Sequence, residues 1–262
     1  MKEKRENKMY KKGELTTAQL VGLIVLIASF VILLYFLFIL DLSGTSNAEI
    51  CRNSVLLKDK IPGGVSGPLD CRTNYVCVSG SEDCASEDFS KISINPVNKD
   101  EIMKSIADEM VSCWWQFGGD NKIMYAGAVK GAKKFCAVCS IIEFDREIQE
   151  KYPEISYSEF YSYLGRTSEE GSLSYLKYLY AIDNPTELKI QEEVSDAITQ
   201  DKILTNQKYS LITGIDANIV DLGLSEEANF INILGDDEWI RVYLIPTSET
   251  SKTQCQEFIT KA

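Results

Sequence analysis

The sequence FCAVCSIIEF, residues 135–144, is the stretch from which the fold can be worked out. Its aromatic and β-branched residues, with no glycine or proline among them, favour a β-strand over a helix. Successive side chains of a strand point to opposite faces, so Cys136 and Cys139, three positions apart, are expected on opposite faces of a sheet. Each of these two cysteines should therefore pair with a different partner.

The same two cysteines form a Cys-x-x-Cys motif, which has the spacing of thiol oxidoreductases. Active motifs of that kind place the first cysteine at a helix N-terminus, where the helix dipole lowers the pKa of the thiol. A strand offers no such dipole, which disfavours redox catalysis. An envelope thiol oxidoreductase using Cys136 and Cys139 is therefore only an alternative function. Zinc usually needs a second such pair or histidines, and the chain has neither. We therefore predict no metal site and no cofactor.

All cysteines of the chain follow residue 50, and their number is eight. An even number of cysteines in an exported protein indicates disulfide bonds. The spacing leaves their connectivity open, because eight cysteines allow roughly 100 pairings. The disulfide candidates are Cys51, Cys71, Cys77, Cys84, Cys113, Cys136, Cys139 and Cys255.

Residues 18–40 contain no charged residue, and 17 of these 23 residues are Leu, Ile, Val or Phe. This run predicts a transmembrane helix in contact with the lipid bilayer, because a bilayer core of about 30 Å needs about 20 helical residues. Six cations and two acids precede it in residues 1–13, so we expect a cytoplasmic N-terminus and an exported remainder. Cleavage as a secretory signal after Ala48 is an alternative, although signal peptides have a shorter apolar run.

Helix and strand patterns recur along the exported part. Asn98 can cap a helix that runs to about Phe117 and buries Cys113, and Cys255 is placed to pin the C-terminal tail. Further helices are predicted over residues 157–164, 173–180 and 186–200, and further strands over residues 73–79, 208–213 and 238–245.

The predicted fold class is α+β, with one N-terminal transmembrane helix and a disulfide-rich ectodomain. That ectodomain would hold a small mixed or antiparallel sheet and several amphipathic helices. The domain organisation that follows is a basic cytoplasmic stub over residues 1–17, the transmembrane helix over 18–40, a linker over 41–50 and an extracytoplasmic disulfide-stabilised α+β domain over 51–262.

Tyrosines are concentrated between residues 152 and 180, which hold seven of the thirteen in the chain. Most of them fall on the same helix faces as leucine and phenylalanine. We therefore expect these rings to pack in the core with their hydroxyls at the rim, rather than to form a recognition surface.

The composition excludes several kinds of activity. The chain has 39 acidic and 27 basic residues, a net charge of −12, so nucleic acid is not an expected partner. It contains no histidine, which removes Ser-His-Asp and Cys-His catalytic sets. Residues 216–221 faintly echo a calcium loop, but Val220 stands where an oxygen ligand is needed, so a surface turn is predicted. We expect a protein that is not an enzyme.

The start of the chain resembles the class III leaders of archaeal pilin-like proteins. This resemblance rests on Lys11-Lys12-Gly13-Glu14 and on the apolar helix predicted after them. In that family a peptidase cuts after the glycine, so Gly13 and Glu14 form a possible processing site and a pilin-like subunit is an alternative function. Ala18 departs from the glutamate that many pilins carry there, and Ser43-Gly44 would break the long stem helix.

Beyond the leader, the segments ICRNSVL, PLDCRTNYVC, EMVSCWWQFG and FCAVCSIIEFD resemble a group of uncharacterised archaeal single-pass surface proteins. The resemblance implies a location and a disulfide scaffold, and it implies no activity. The function expected from the sequence is thus that of a membrane-anchored, non-enzymatic cell-surface protein of interaction or envelope-structural type. Its expected partners are envelope or cell-surface proteins.

Overall fold

The computed structural model of the chain describes residues 17–39, 47–60, 69–86, 89–117, 119, 134–168, 173–198, 200–216 and 239–260. The chain divides between Thr45 and Ser46 into two units, and each is described by itself. The processing site predicted at Gly13 and Glu14 lies outside the described residues, so it stays a prediction.

The first unit contains helix α1, Thr17–Ile39. Within the described part of the chain, no helix is both long enough and apolar enough to cross a membrane. This finding corrects the expectation of a transmembrane helix over residues 18–40.

The second unit combines helices with a mixed sheet. Its strands are β1 (Asn74–Ser79), β2 (Ser90–Ser93), β3 (Lys134–Phe144), β4 (Glu154–Ser156), β5 (Lys202–Leu204), β6 (Tyr209–Asp216), β7 (Trp239–Pro246) and β8 (Glu257–Phe258). Its α-helices are α2 (Asn47–Lys60), α3 (Lys99–Gln116), α4 (Arg146–Lys151), α5 (Tyr157–Arg166), α6 (Tyr175–Tyr180) and α7 (Glu192–Ser195), and 3-10 helices cover Pro185–Glu187 and Thr247–Lys252.

The main sheet has the strand order β2-β1-β3-β6-β7, and β8 pairs with the first part of β3. Strand β1 runs parallel to β2 and β3, whereas β6 lies between β3 and β7 and runs antiparallel to both. Strands β4 and β5 form a separate antiparallel pair. The α+β class and the mixed sheet expected for this unit are therefore present.

Strand β3 is the centre of the sheet, and its ends agree with the predicted strand over residues 135–144 to within one residue. A β-bulge lies between Val138 and Ser140, opposite Ile212 and Leu211 of β6. A bulge inserts one extra residue, so the two neighbours Cys139 and Ser140 both reach α3. Cys139 is disulfide-bonded to Cys113 of that helix, and the Ser140 hydroxyl donates to Glu109 Oε2 at 2.7 Å.

On the opposite face of β3, Cys136 lies beside Gly214 of β6. A Cβ atom on Gly214 would lie 2.3 Å from the Phe135 carbonyl oxygen and 3.2 Å from Cys136 Sγ. Real Cβ atoms do not approach a backbone oxygen that closely, so only glycine leaves room for this strand pairing with the disulfide beside it.

Helix α3 packs on the sheet against β3, β6 and β7. Its N-cap is Asn98, as predicted, because the Asn98 side chain accepts a hydrogen bond from the Glu101 N–H at 2.9 Å. Residues at helical spacing then face the sheet and are buried, among them Cys113 at the predicted position. Helix α2 packs against α3, with the Arg52 guanidinium 4.4 Å from the centre of the Trp115 ring.

Strand β7 is the last strand of the sheet, and its outer edge is capped by side chains. The Tyr157 hydroxyl donates to the Leu244 carbonyl at 2.9 Å, and the Tyr180 hydroxyl donates to the Val242 carbonyl at 2.6 Å. The Gln191 side chain accepts from the Arg241 N–H at 2.8 Å. An uncapped edge would template pairing with another chain, and these bonds remove that possibility over the middle of β7. The two hydroxyls are thus buried and not at the rim, where the sequence placed them.

Two other local differences separate the structure from the sequence prediction. The predicted helix over residues 186–200 is interrupted: after the 3-10 helix Pro185–Glu187 the chain is extended up to Gln191, and α7 is only four residues long. The extended backbone is what lets Gln191 reach β7, so a tertiary contact overrides helix propensity here. Residues 47–50, which were assigned to a linker, form the start of α2.

We expect the substitution Tyr180→Phe to destabilise the protein by about 1–3 kcal/mol, because it leaves the buried Val242 carbonyl without its donor. Tyr152→Phe is the matched control: within the described part of the chain, the Tyr152 hydroxyl makes no hydrogen bond, and its partly buried ring packs against the core with Lys151 Nζ 5.6 Å from its centre. Guanidinium unfolding with the disulfides intact measures both free energies. Equal costs for the two variants would contradict the capping role.

The buried tyrosines also make stability depend on alkaline pH. Burial raises the pKa of Tyr243 to about 12 and raises the pKa values of Tyr157, Tyr161 and Tyr180 as well. In the unfolded chain these groups ionise near pH 10. Because the folded state favours their neutral form, the stability is fully present below about pH 10 and is lost as the pH rises towards the folded pKa values.

Each such tyrosine should contribute a loss of about 1.4 kcal/mol per pH unit above pH 10. The free energy of unfolding of Tyr180→Phe should therefore fall less steeply with pH than that of the unmodified protein, by about that amount. Guanidinium titrations at several pH values between about 9 and 11 measure the two slopes. Parallel curves would show that Tyr180 ionises equally in the folded and unfolded states.

Candidate functional site

All eight cysteines are paired, so the expectation of disulfide bonds is confirmed. The pairs are Cys51–Cys71, Cys77–Cys84, Cys113–Cys139 and Cys136–Cys255. The first ties α2 to the segment before β1, the second ties β1 to the loop that follows it, the third joins α3 to β3, and the last joins β3 to the C-terminal segment.

The Cys-x-x-Cys motif does not form a redox pair. Cys136 and Cys139 are each bonded to another cysteine, on opposite sides of β3, and both are fully buried. A thiol oxidoreductase needs an accessible thiolate, commonly at a helix N-terminus. Both cysteines lie instead within a central strand, where they fasten other segments to the sheet.

Asp145 directly follows β3 and collects hydrogen bonds from the loop after β1, residues 80–86. Its Oδ2 atom accepts from the Ser79 hydroxyl at 3.0 Å and from the N–H groups of residues 80–82 at 2.8 to 3.2 Å. Its Oδ1 atom caps α4 by accepting from the Ile148 N–H at 2.9 Å. Burial acts to raise the pKa of this carboxyl, but the hydrogen bonds outweigh it and hold the pKa below the usual value.

Glu109 is a second shielded acid, on the side of the sheet that α3 covers. Burial raises the pKa of Glu109, and the hydrogen bond from Ser140 opposes that shift only in part. Ser140 is 1% exposed, whereas Glu109 is partly exposed. The hydrogen bond between them joins α3 to β3.

Lys208, directly before β6, connects three parts of the structure on the face of the sheet opposite α3. Its Nζ atom lies 3.4 Å from Oε2 of Glu143 on β3, and it donates to the Ser86 hydroxyl at 2.7 Å. The same ammonium is 5.2 Å from the centre of the Phe89 ring. Glu143 is only 7% exposed, so its charge is removed from water and Lys208 is the cation that balances it.

A cleft of about 490 Å³ opens next to Lys208, and we call it the polar cleft. It forms because Pro246 ends β7 and the chain turns into the 3-10 helix Thr247–Lys252, whose first N–H donates to the Lys208 carbonyl at 2.9 Å. The residues that line it are Gln200, Gln207, Lys208, Pro246, Thr247, Ser248 and Glu249.

A second cleft of about 390 Å³ shares Gln200 with the polar cleft, and we call it the side cleft. It is lined by Ser156, Tyr157, Ser158, Ile190, Ile198, Gln200 and Asp201. The two clefts together follow the surface from the end of β7 to the start of α5, with amides and hydroxyls at one end and aliphatic side chains at the other.

The chemistry of the polar cleft is that of hydrogen bonding. Lys208 is paired with Glu143, and Glu249 is paired with Lys252, so the charged groups at the cleft are balanced locally. The Ser210 hydroxyl donates to the Thr247 hydroxyl at 3.0 Å, and the two glutamine amides and Ser248 line the cleft beside Thr247. Such a set can hold a polar ligand in place, and it offers no activated nucleophile.

Sequence reasoning did not find these residues. Gln200, Gln207 and Ser248 stand in three different connections, and no spacing rule joins them. In the described part of the chain, no group of three or more His, Cys, Asp or Glu side chains is arranged to hold a metal ion. The calcium-like segment 216–221 lies outside the described residues after Asp216.

No protein-family model matches the sequence, and no curated protein or solved structure matches it either. The assignment of a function therefore depends on the residues and contacts given above.

We expect Asp145→Asn to lower the free energy of unfolding by about 3 kcal/mol at neutral pH, because it removes the charge from a carboxylate that accepts five hydrogen bonds. Asp183→Asn is the control, since Asp183 is 77% exposed and its ion pair with Lys177 should contribute at most about 1 kcal/mol. Chemical denaturation compares the two variants with the unmodified chain.

The difference in unfolding free energy between the unmodified protein and Asp145→Asn should depend on pH. Because the pKa of Asp145 is lowered in the folded state, its contribution is present above the unfolded pKa of about 3.9 and is lost as the pH falls below it. The gap between the unmodified protein and Asp145→Asn should therefore shrink in acid. A gap that stays constant down to about pH 2.5 would show that the Asp145 charge does not hold this junction.

Proposed function

We propose that this chain is an extracytoplasmic, non-enzymatic interaction protein with a disulfide-stabilised binding domain. The observation that carries the proposal is the pairing of all eight cysteines into four disulfides that join separate segments of one domain. Disulfides of this kind persist in oxidising compartments and are rare in the reducing cytosol. The partners we propose are envelope components or other cell-surface proteins.

The positions of the disulfides fit a scaffold role. Six of the eight cysteines are buried, five of them completely, and each bridge ends on a helix, a strand or a segment next to one. The bridge between Cys136 and Cys255 spans 119 residues of sequence, so it restricts the unfolded chain strongly. Structural bridges in secreted proteins resist reduction, whereas catalytic ones are exposed and labile.

The non-enzymatic part of the proposal is supported by the chemistry of the clefts. The chain has no histidine, and its shielded acids Asp145, Glu109 and Glu143 are engaged in contacts that hold helices and strands together. A general base must lie within hydrogen-bonding reach of a substrate proton. The clefts present amides, hydroxyls and aliphatic groups beside the charged side chains of Lys208, Glu249 and Asp201, and these are groups that a binding site can use.

An acidic surface limits the partners that can bind. The net charge of the chain is −12, which disfavours nucleic acid and other polyanions. The resemblance to archaeal surface proteins, carried by the cysteine-containing segments, agrees with an exported binding protein and adds no substrate or partner.

Thiol mapping tests the proposal directly. Protein produced in an oxidising compartment should show no alkylation when it is unfolded without reductant, and alkylation of all eight cysteines after reduction. Non-reducing peptide mapping should recover the four pairs. Alkylation of most cysteines before reduction would overturn the assignment to an oxidising compartment.

The disulfide scaffold also makes a quantitative prediction. Replacing Cys136 and Cys255 by alanine opens a loop of 119 residues and should cost about 5 kcal/mol, whereas replacing Cys77 and Cys84 opens a loop of 7 residues and should cost about 2 kcal/mol. The short bridge is the matched control because it removes the same atoms. Guanidinium unfolding measures the two costs, and an inverted order would contradict a scaffold based on chain restriction.

A further inference from the structure

The polar cleft contains hydrogen-bonding groups that the protein itself does not use. Among the described residues, the side chains of Gln200, Gln207 and Ser248 make no hydrogen bond, although all three line the cleft. Each carboxamide offers two N–H donors and one carbonyl acceptor, and the hydroxyl can act in either role. A ligand that both donates and accepts at closely spaced positions would satisfy this set.

From this arrangement we propose that the polar cleft and the side cleft bind a neutral glycan. The inference rests on the proposed function, since it names the ligand class of that binding domain. Sugar hydroxyls donate and accept at adjacent carbon atoms, which suits a row of carboxamide and hydroxyl side chains. A cleft of about 490 Å³ joined at Gln200 to one of about 390 Å³ has room for more than one sugar unit.

The charge distribution selects a neutral ligand. Lys208, the cation that lines the polar cleft, is paired with Glu143, and the Glu249 carboxylate of the cleft is paired with Lys252. A phosphorylated, sulfated or uronate ligand would need an unpaired cation, and it would also meet the Asp201 carboxylate in the side cleft and the acidic surface of the chain. A neutral sugar meets no such repulsion.

The aliphatic side chains of the clefts suit the apolar C–H faces of sugar rings. Ile190, which is 42% exposed, and the partly exposed Ile198 line the side cleft, whereas Tyr157 there and Pro246 in the polar cleft are buried. Pyranose rings present C–H groups on their flat faces, and these pack on aliphatic or aromatic side chains while the hydroxyls bond sideways.

An extended peptide is a poorer fit to the same surface. Peptides that bind beside a sheet usually add a strand to an open edge and so gain main-chain hydrogen bonds. The edge of β7, which leads to the polar cleft, is occupied by Tyr157, Tyr180 and Gln191. The remaining partners at the clefts are side chains, which favours a ligand recognised through its hydroxyls.

The test is ligand-observed NMR on the full chain with intact disulfides. Maltohexaose, mannohexaose and chitohexaose are the neutral probes, with hexagalacturonate as the anionic probe and a tetralysine peptide as the cationic probe. We expect saturation transfer to at least one neutral probe and none to hexagalacturonate. Gln207→Ala and Ser248→Ala should each weaken that binding about 5- to 10-fold, because each removes a hydrogen-bonding side chain.

Matched controls are available next to both positions. Asn206→Ala removes an exposed amide in the same turn that does not line the cleft, and Ser251→Ala removes an exposed hydroxyl in the same 3-10 helix. Both should keep the binding of the unmodified chain, and thermal unfolding checks that all four variants fold.

Three results would overturn the proposal: no binding of any neutral probe, tighter binding of a charged probe, or neutral binding that Gln207→Ala and Asn206→Ala change equally. Each of these results leaves the thiol map untouched. The proposed extracytoplasmic scaffold and the glycan ligand are thus rejected by different experiments.

Discussion

The fold depends on strand β3 being covered on both faces. A strand with ten or so residues in the middle of a sheet leaves two apolar surfaces, and neither is stable in water unless another element packs on it. Here one disulfide from β3 fixes α3 and another fixes the C-terminal segment. Asp145, at the end of the same strand, then fixes the loop after β1 and the start of α4. Helix α3, the C-terminal segment, the loop after β1 and the start of α4 are thus all fixed to β3 or to the residue that follows it.

The sequence predicted this centre well because its signals are local. Alternation of side chains along a strand was enough to place Cys136 and Cys139 on opposite faces with different partners. The Asn98 cap and the helical spacing after it were enough for α3. The sequence could not predict which cysteines pair with Cys136 and Cys139. Tertiary packing brings Cys255 and Cys113 to β3, and no spacing in the sequence indicates it.

Predictions failed where a long-range contact decides the local structure. Residues 186–200 have the apolar spacing of a helix, yet the chain stays extended before Gln191 so that its side chain can cap β7. The hydroxyls of Tyr157 and Tyr180 were expected at the rim, but they cap the edge of β7. Local sequence could not predict this, because that free edge exists only after the sheet has formed. The residues of the polar cleft come from separate connections and carry no motif. The transmembrane helix over residues 18–40 was inferred from hydropathy, and the described helices do not provide it.

The disulfides also bear on how well the polar cleft is held. A domain of this size can bury a full apolar core, so bridges are not needed to make it fold in the way they are in much smaller secreted domains. Their value lies in fixing segments that the core holds weakly. The 3-10 helix Thr247–Lys252, which supplies Ser248 and Glu249 to the cleft, lies between β7 and Cys255 and is therefore fixed at both ends. A site whose side chains are already in place loses less conformational entropy when a ligand binds. The bridge from β3 thus stabilises the fold and pre-organises the surface that we assign to binding.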